Sequence, residues 1–495
     1  MRHRLLAFKE KTMFVGIDIG TSEVKAVLLS ERHALIASTS ASLSISRPLP
    51  GHSEQNPEDW WTACCVALQK LNAAVPLAYA KVMGLGLSGQ MHGAVLLDEK
   101  DQILCPAMLW NDTRASQECS DMMAQLPQMP QLAGSLAMPG FTAPKLRWIA
   151  KHQPGIFAKT AKVLLPKDYV RLRLTGEAVT DMSDASGTAW LDVEQRDWSD
   201  DLLKLTGMAR QHMPRLVEGS AQSSVVSASA ATLLGLKPGI VVAGGGGDNA
   251  ASAVGMGAVE PGQGFLSLGT SGVLFVVTPS FQPNAASATH AFCHAVPNRW
   301  HQMSVMLSAA SCLQWASGLL GVASAAELES KASRLNTAQR ATAPLFLPYL
   351  SGERTPHNSA QVRGSFHGLG HDTDAASLAY AVMEGVSFGL NDGLAALQAA
   401  GVQTQRLSLV GGGARSTFWA QQLASLLNIE ILTHKGSEAG GALGAARLGW
   451  LAAGGILSDV CVTPEVAHVY TPQLSERSYL YPRYQQFKSL YKVNP

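Results

Sequence analysis

The stretch "FVGIDIGTSEVKAVLL", residues 14–29, places a short glycine-containing turn, residues 20–22, between two apolar runs rich in β-branched side chains. Such a pattern predicts a β-hairpin. Half a chain later, "GFLSLGTSGVLFVV", residues 264–277, repeats the same Gly-Thr-Ser turn at residues 269–271. An interval this long is incompatible with a solenoid, whose period is roughly 20–50 residues. The repeated turn therefore predicts two related domains, each of which begins with a hairpin.

Strands and helices alternate along the rest of the chain, which predicts the α/β fold class. Predicted strands outside the hairpins lie at residues 81–88, 239–247 and 406–414, and predicted helices at residues 60–71, 143–152 and 440–453. We place an N-terminal extension at residues 1–12, an N-terminal domain at residues 13–256 and a C-terminal domain at residues 257–495. The basic extension lacks the long apolar stretch of a signal peptide.

The composition excludes several classes of partner. Hydrophobic residues make up 46% of the chain and the net charge is +1, which allows large cores but provides no electrostatic footprint for nucleic acid or an acidic membrane. No apolar run reaches the ~18 residues of a membrane-spanning helix. The seven cysteines contain no CxxC pair, which predicts reduced, structural thiols and a cytoplasmic location. Cys64 and Cys65 lie in a predicted helix that Asn56 caps, where both thiols are expected to face a core.

Three glycine-containing turns together predict a nucleotide site. Two Gly-Thr-Ser turns that face each other across a cleft would offer backbone N–H groups and hydroxyls to anionic oxygens. A third cluster, residues 411–413, follows a strand that ends at Val410 and would let a flat base lie close to the backbone. The chain has no Walker A sequence and no Rossmann GxGxxG after a strand, so the phosphates would be held in another way. Each turn by itself is more typical of an ordinary turn, and the combination favours the nucleotide.

Two aspartates carry the predicted chemistry. Asp18 precedes the first turn, whereas Ser267 takes its place before the second. One carboxylate with phosphate oxygens and water suits Mg²⁺, and only one domain needs to hold the ion; a solvated or strand-capping aspartate is the alternative. Asp248 follows four glycines and is predicted to accept a hydroxyl proton during phosphoryl transfer. A helix N-cap is the alternative for Asp248.

Polar side chains interrupt two apolar stretches, at residues 90–92 and 110–112. Neutral donors and acceptors beside an aromatic ring suit a polyol, whose hydroxyls they bind and whose carbons the ring covers. Either cluster by itself is also typical of a turn at a strand end. The chain has no HExxH motif and no His-Cys cluster, so a histidine-ligated metal is not expected.

The order of several short motifs resembles that of the FGGY family of carbohydrate kinases. They are "GIDIGTSEVKAVL", "EQNPEDWW", "GQMHG", "LWNDTR", "MPGFTAPKLRWI", "SDASGT", "GGGGDNAA", "SLGTSGV", "FLPYLSGERTPH" and "LVGGGARS", which cover nearly the whole chain from Met13. Residues 140–152 fit the first family signature. The second begins with residues 364–369 but departs at Ser377, where an acidic or amide residue is usual. The resemblance implies two actin-like, ribonuclease-H-like domains that close on a central cleft.

The resemblance also implies a reaction and individual roles. Because "GQMHG" followed by "LWND" is most similar to the members that act on D-xylulose, it implies that ATP, with Mg²⁺, phosphorylates the 5-hydroxyl of that sugar. By position, it implies a base at Asp248, a metal-side acid at Asp18, sugar contacts at Met91, His92, Trp110 and Asn249, phosphate contacts at Thr21, Ser22, Lys25, Gly269 and Thr270, and a nucleoside platform at Gly411, Gly412, Gly413 and Ala414.

Two alternative functions stay open. The first is a kinase of the same family that acts on another polyol, such as ribulose, gluconate or glycerol. The second is a non-enzymatic, actin-like nucleotide-binding module, against which the polar clusters opposite Asp248 argue. The expected partner is a small sugar, with neither nucleic acid nor membrane, and a homodimer is left open.

Overall fold

Two seven-stranded sheets, one in each half of the chain, form the framework of the protein. The structure is a computed structural model, and it describes residues 11–435 and 440–491. The predicted extension, residues 1–12, lies outside the described residues except for its last two. The alternation of strands and helices confirms the predicted α/β class.

The N-terminal half is built from the following elements. Its strands are β1 (Met13–Ile19), β2 (Glu23–Ser30), β3 (Leu35–Ser42), β4 (Glu54–Gln55), β5 (Val82–Gly89), β6 (Val95–Leu97), β7 (Ala107–Met108), β8 (Lys162–Leu164), β9 (Val179–Asp181), β10 (Leu191–Asp192), β11 (Asp197–Trp198), β12 (Arg215–Val217), β13 (Gln222–Val225), β14 (Val241–Ala243) and β15 (Gly246–Gly247). Its helices are α1 (Pro57–Ala74), α2 (Pro76–Tyr79), α3 (Ser116–Gln125), α4 (Met129–Ala133), α5 (Thr142–His152), α6 (Pro154–Phe157), α7 (Pro166–Thr175), α8 (Met182–Ser186), α9 (Asp200–Lys204), α10 (Ala228–Leu234) and α11 (Asp248–Gly255).

The C-terminal half is likewise built from alternating strands and helices. Its strands are β16 (Gly264–Leu268), β17 (Gly272–Thr278), β18 (His290–Cys293), β19 (Trp300–Met306), β20 (Leu345–Leu347), β21 (Ser365–His367), β22 (Arg406–Val410), β23 (Glu430–His434) and β24 (Val466–Tyr470). Its helices are α12 (Ala310–Leu319), α13 (Ala325–Ser333), α14 (Thr337–Thr342), α15 (Ala375–Ala399), α16 (Thr417–Leu427), α17 (Gly440–Ala452), α18 (Leu457–Val460) and α19 (Leu474–Tyr491).

The two large sheets share one topology. The first runs β3-β2-β1-β5-β14-β13, and the second runs β19-β17-β16-β22-β23-β24 with β18 added at its edge. In each sheet the central strand, β1 or β16, pairs antiparallel with its hairpin partner, which pairs antiparallel with β3 or β19. On the other side, two strands run parallel to the central strand: β5 and β14 in the first sheet, and β22 and β23 in the second. The strand that follows them, β13 or β24, is antiparallel. The two halves are therefore related folds, as the repeated turn predicted.

Local signals account for much of this structure. The hairpin of β1 and β2 pairs Ile19 with Val24 across the first turn. Helix α1 begins at Pro57, and the side chain of Asn56 accepts a hydrogen bond from the backbone N–H of Glu58, as predicted. Cys64 is buried in the core around β1, and the half-buried Cys65 packs against the same core, which confirms that both thiols face it.

Two predicted strands are shorter than expected, and the departure at Ser377 has a local reason. The strand predicted at residues 239–247 is divided into β14 and β15, and β22 ends at Val410 before a 3₁₀ turn over Gly412–Arg415. At the start of α15, Asp374 Oδ1 accepts hydrogen bonds from the backbone N–H (2.8 Å) and Oγ (2.7 Å) of Ser377. The serine therefore completes a helix cap.

Each sheet packs its helices over a buried apolar core. One core surrounds β1, β2 and β5, and another surrounds β16, β17 and β22. All seven cysteines are unpaired. Within the described residues, no helix combines the length and the apolar character needed to cross a bilayer.

Helix α17, from the C-terminal half, joins the two halves by packing on the first sheet and on α11. A Cβ atom on Gly86 of β5 would lie 1.9 Å from the carbonyl oxygen of Ala445, and a Cβ atom on Gly444 would lie 1.7 Å from that of Ala251 in α11. Glycine is required at both positions because backbone packs directly on backbone there. The contact therefore fixes the starts of α11 and α17 relative to each other.

We predict that Gly86→Ala lowers the free energy of unfolding by about 1–3 kcal/mol, the usual cost of overpacking. Denaturant unfolding followed by circular dichroism measures the effect. Gly155→Ala is the matched control, because an added Cβ at Gly155 meets no atom within 4 Å, and it should be neutral or slightly stabilising. Equal stability of the two variants would contradict the packing constraint.

Candidate active site

A cavity of about 280 Å³ lies between the two halves. Five residues predicted from the sequence line it together: Met91, His92, Trp110, Asp248 and Asn249. The C-terminal half completes the lining with Ser267, Ser271, Val273, His290, Phe292, Met303, Val305 and Arg354. The sequence had pointed to Ser267 and Ser271 through the second hairpin, but sequence reasoning missed the others. The motif "GERTPH" was a visible signal for Arg354, whereas a histidine inside a strand carries no local signal.

Asp248 lies at the start of α11 in an environment that makes it a stronger base. Gly247 occupies the N-cap position, so capping does not account for the aspartate. Asp248 Oδ1 accepts hydrogen bonds from the backbone N–H (2.7 Å) and Nδ2 (2.8 Å) of Asn249. The pKa of Asp248 is raised to about 6, mainly by burial and secondly by the negative charge of Asp18. Such a carboxylate is ionised at neutral pH yet basic enough to accept a proton from a hydroxyl.

A buried hydroxyl holds the loop that precedes Asp248. Ser183 Oγ accepts a hydrogen bond from the backbone N–H of Gly247 (3.1 Å) and donates one to Asp181 Oδ2. Asp181 Oδ1 in turn lies 2.9 Å from Lys167 Nζ, and all three side chains are buried. Ser183 opens the motif "SDASGT", for which the sequence predicted no individual role, and its hydroxyl positions the loop before Asp248.

A buried cluster of charges surrounds that hydroxyl. Lys167 Nζ also lies 2.6 Å from Asp168 and 3.2 Å from Asp184. Arg171 donates hydrogen bonds of 2.5 Å to the carbonyl oxygens of Ala243 and Gly244, the residues that lead to Asp248. Removing one member of such a cluster leaves an unpaired buried charge, which is strongly destabilising. The cluster therefore holds the loop rigidly.

His92 is held as a neutral hydrogen-bond acceptor. Its Nδ1 lies 2.6 Å from the carbonyl oxygen of Gly187. Because a carbonyl only accepts, Nδ1 carries the proton and Nε2 is left as an acceptor. Burial lowers the pKa of His92 to about 3, and the ring stacks on Phe141 at 4.4 Å. The backbone of His92 has φ +71°, and Lys145 Nζ donates a hydrogen bond to its carbonyl oxygen (2.8 Å), which stabilises this uncommon conformation.

The first hairpin turn is hydrogen-bonded to Gln90 and to Trp110, which lines the cavity. Thr21 Oγ1 donates to Gln90 Oε1 (3.1 Å) and accepts from Trp110 Nε1 (3.0 Å). Gln90 directly precedes Met91 and His92 in the chain. A residue predicted as a phosphate contact therefore belongs to the network that orients the predicted sugar contacts. Ser22, the next residue of the turn, is exposed, and the phosphate role of both stays a prediction.

Asp18 lies in β1 beside the first turn and directly opposite Lys25 of β2. Its Oδ1 accepts a hydrogen bond from Ser88 Oγ (2.9 Å). Burial raises the pKa of Asp18, while the Ser88 hydrogen bond and the charge of Lys25 act in the opposite direction. A Cβ atom on Gly441 would lie 2.9 Å from Asp18 Oδ1, so the start of α17 packs against the carboxylate. This is not the environment of a solvated aspartate.

The surroundings of Asp18 fit a divalent cation that takes most of its ligands from a substrate. Within residues 11–435 and 440–491, no group of three or more His, Cys, Asp or Glu side chains could hold a metal ion. A cation at Asp18 would have one carboxylate from the protein and phosphate oxygens and water elsewhere, as is common for Mg²⁺. Its charge would also offset the repulsion by which Asp18 raises the pKa of Asp248.

A second cavity, of about 600 Å³, adjoins the first at the second hairpin. Gly411, Gly412 and Ala414 line it, as expected for a nucleoside platform, and Ser267 lines both cavities. Gly413 is instead buried, and a Cβ atom there would lie 2.4 Å from the side chain of Leu268. Gly413 therefore packs against the second hairpin, behind the residues that line the cavity.

The start of α12 holds the turn of the second hairpin. The carbonyl oxygen of Gly269 accepts a hydrogen bond from the backbone N–H of Ala310 (2.8 Å). That of Thr270 accepts hydrogen bonds from the N–H of Ala309 (2.9 Å) and from Ser311 Oγ (2.7 Å). The turn is therefore rigid, and the phosphate contacts of Gly269 and Thr270 stay predictions.

Known proteins share this sequence and this arrangement. The chain matches the sequence models of the FGGY family of carbohydrate kinases, N-terminal domain over residues 13–255 and C-terminal domain over residues 264–453. The xylulose kinase of Escherichia coli (strain K12) is 48% identical over 482 residues, which cover 97% of this chain and 99% of that protein. The crystal structure of a "xyloylose kinase" from Brucella ovis is 48% identical with a TM-score of 0.94, covering 97% and 99% of the two chains. The structure of a gluconate kinase from Lactobacillus acidophilus is 25% identical with a TM-score of 0.90, covering 97% and 98%.

The chain belongs to the FGGY family of carbohydrate kinases, as the order of its motifs indicated. Its two-domain, actin-like and ribonuclease-H-like fold is that of the family, which confirms the predicted architecture. The family implies ATP as the phosphoryl donor and a divalent metal ion. The fold does not define the acceptor, because kinases named for different sugars share it.

We predict that Thr21→Val weakens the use of both sugar and ATP, because the hydroxyl holds Gln90 and Trp110 as well as the turn. The KM for each substrate should rise about 2- to 10-fold, the effect of one lost neutral hydrogen bond. Steady-state kinetics measure both constants. Thr21→Ser keeps the hydroxyl and should behave like the wild type. A change in the KM for ATP alone would show that Thr21 has no part in the sugar site.

Proposed function

We propose that this protein is a xylulose kinase, which transfers the γ-phosphoryl group of ATP to the 5-hydroxyl of D-xylulose in the presence of Mg²⁺. The observation that carries the proposal is the placement of Asp248 in one cavity with His92, Trp110 and Asn249. The 48% identity to the Escherichia coli xylulose kinase over nearly the whole chain supports this choice of sugar over gluconate.

The cavity provides a base and a neutral polar lining for the sugar. In the proposed reaction, the 5-hydroxyl oxygen attacks the γ-phosphorus, its proton passes to Asp248, and ADP leaves. His92 Nε2 accepts a hydrogen bond from a sugar hydroxyl, while Trp110 covers the carbon chain. Closure of the two halves excludes water and aligns the hydroxyl with the phosphorus.

The two hairpins and Asp18 act on the phosphate chain in this proposal. The first turn contributes Thr21, Ser22 and Lys25, and the second contributes Gly269 and Thr270, whose N–H groups and side chains offset the spreading negative charge. Asp18 would hold Mg²⁺, which when bound would supply positive charge near the outer phosphates. Gly411, Gly412 and Ala414 support the nucleoside in the second cavity.

The domain division belongs to the same proposal. Residues 13–256 bind most of the sugar and residues 257–495 bind most of the nucleotide. The seven unpaired thiols support a reducing, cytoplasmic environment. A homodimer stays a prediction, which light scattering of the purified protein tests.

A panel of sugars tests the proposed substrate. Coupled ADP release should be fastest, in kcat/KM, with D-xylulose, and slower with ribulose, gluconate and glycerol. Higher kcat/KM for another member of the panel would assign that sugar instead. No sugar-dependent turnover with any member would favour the non-enzymatic module.

We predict that Asp248→Asn lowers kcat at least ~10²-fold, because the amide keeps the shape but cannot accept the proton. Calorimetric titration should show that D-xylulose and ATP still bind, and the thermal midpoint should stay near that of the wild type. Asp201→Asn is the matched control, since Asp201 is exposed on the surface. A near-normal kcat in folded Asp248→Asn protein would remove Asp248 from proton transfer.

We predict an acid limb near pH 6 in kcat/KM. The pKa of Asp248 is raised to about 6, so the base is protonated and inactive below that pH and ionised and active above it. Activity should therefore fall as the pH drops through about 6 and be level above it. In Asp18→Asn protein the like charge is absent, so NMR titration should place the pKa of Asp248 lower. An unmoved pKa would show that the two carboxylates do not interact.

A further inference from the structure

An arginine of the C-terminal half reaches the cavity in which the sugar is proposed to bind. Arg354 lies in the connection between β20 and β21 and lines the same cavity as His92 and Asp248. It belongs to the motif "GERTPH", to which the sequence analysis gave no role.

The backbone on both sides of Arg354 is held in place. The Glu353 carboxylate accepts hydrogen bonds from the backbone N–H groups of Arg354 (2.7 Å) and Leu307 (2.9 Å). Thr355 Oγ1 donates to the carbonyl oxygen of Ala288 (2.9 Å) and accepts from the N–H of Val305 (3.1 Å). Arg354 is therefore a fixed part of the cavity rather than a mobile surface side chain.

The guanidinium of Arg354 has unused hydrogen-bond donors. Its Nη1 lies 3.4 Å from His290 Nε2, and among the described residues no carboxylate oxygen lies within 4.0 Å of it. Burial lowers the pKa of Arg354, which the charge of Glu353 partly opposes. A desolvated guanidinium costs free energy unless acceptors satisfy its N–H groups. The free N–H groups of Arg354 can therefore donate to the acceptor oxygens of a ligand in the cavity.

A relay from the N-terminal half orients Arg354. Ser135 Oγ donates a hydrogen bond to the carbonyl oxygen of Leu136 (3.1 Å) and lies 2.7 Å from His290 Nδ1. The hydroxyl proton is used in the first contact, so Nδ1–H of His290 donates to Ser135, and Nε2 accepts from Arg354. The arginine is thus aimed by residues from both halves.

Arg354 lies toward the His92 end of the cavity. Its Nη1 lies 3.4 Å from His290, whose ring lies 5.9 Å from that of Phe141, and the ring of His92 stacks on Phe141 at 4.4 Å. After burial, the charge of Arg354 further lowers the pKa values of His92 and His290, whereas the charge that acts on Asp248 is that of Asp18. A sugar whose reacting hydroxyl lies at Asp248 therefore presents its opposite end to Arg354.

We propose that Arg354 is a substrate-binding residue that donates hydrogen bonds to the oxygens at the C1–C2 end of the sugar, opposite the hydroxyl that is phosphorylated. The inference rests on the function proposed above. A guanidinium only donates and the C2 carbonyl oxygen of a ketose only accepts, so the two are complementary. The sugar then bridges His92 of one half and Arg354 of the other.

The alternative is that Arg354 binds the transferred phosphoryl group. That group must lie in line with the hydroxyl at Asp248 and next to the two hairpin turns. The position of Arg354 near His92 and His290 does not favour this, and the experiment separates the two roles.

Arg354→Met tests the proposal, because methionine keeps an unbranched side chain and loses every donor. Calorimetric titration with D-xylulose, without ATP, should show a Kd about 10- to 100-fold higher, while the KM for ATP changes less than about twofold. Kinetics with 1-deoxy-D-xylulose, which lacks the C1 oxygen, should show that the preference for D-xylulose shrinks several-fold. Arg354→Lys keeps the charge but not the planar fork and should fall in between.

Arg363→Met is the matched control, since Arg363 lies on the same connection, is exposed and bonds only to nearby carbonyl oxygens among the described residues. Arg363→Met should match the wild type, and the thermal midpoint of each variant shows whether it is folded.

If Arg354→Met does not fold, Arg354→Lys is used for the test. Unchanged affinity for D-xylulose would overturn the assignment, an equal loss for both sugars would support it with the C2 oxygen as the bound atom, and a lower kcat with unchanged Kd would overturn it by moving Arg354 to the phosphoryl group. If the wild type itself neither binds nor phosphorylates D-xylulose, the proposed function fails, and the same variants are titrated with the sugar that the wild type uses.

Discussion

The backbone contact of α17 with α11 and the first sheet is the constraint on which the site depends. At Gly86 and Gly444 any side chain would overlap a carbonyl oxygen of the facing element, so the two halves meet at the shortest distance that backbones allow. Because α11 begins at Asp248 and the start of α17 packs on Asp18, this contact also sets where the two carboxylates lie. A helix start beside the acid adds a partial positive charge where phosphates are expected.

Desolvation tunes the groups that face the cavity. The same loss of water raises the pKa of Asp248 to about 6 and lowers that of His92 to about 3, which yields a usable base and a neutral acceptor in one pocket. Most of the buried charges lie away from the cavity, in the cluster around Lys167, where the negative charges of carboxylates and the positive charges of cations compensate one another. Ser183 and Arg171 connect that cluster to the loop before Asp248 by hydrogen bonds to its backbone.

Two hydrogen-bond relays connect the sugar side to the rest of the molecule. Trp110 and Gln90 both hydrogen-bond the hydroxyl of Thr21, so the proposed sugar contacts and the proposed phosphate contacts of the first turn share one network. Ser135 and His290 lead from the N-terminal half to Arg354 in the C-terminal half. A ligand in the cavity therefore contacts groups whose orientation depends on the first hairpin and on both halves, as transfer between two substrates requires.

The sequence by itself determined the features that depend on neighbours in the chain. The two hairpins, the Asn56 cap and the placement of Asp18 and Asp248 next to glycine turns follow from turn chemistry, capping and apolar periodicity, which act over a few residues. Tertiary structure alone decided which distant residues share a cavity and in what protonation state. Arg354 and His290 meet His92 only because strand order brings β18 and the β20–β21 connection to the cleft, and Gly413 is buried while its neighbours line the second cavity. Burial and long-range pairing are properties of the packed chain, so no local pattern contains them.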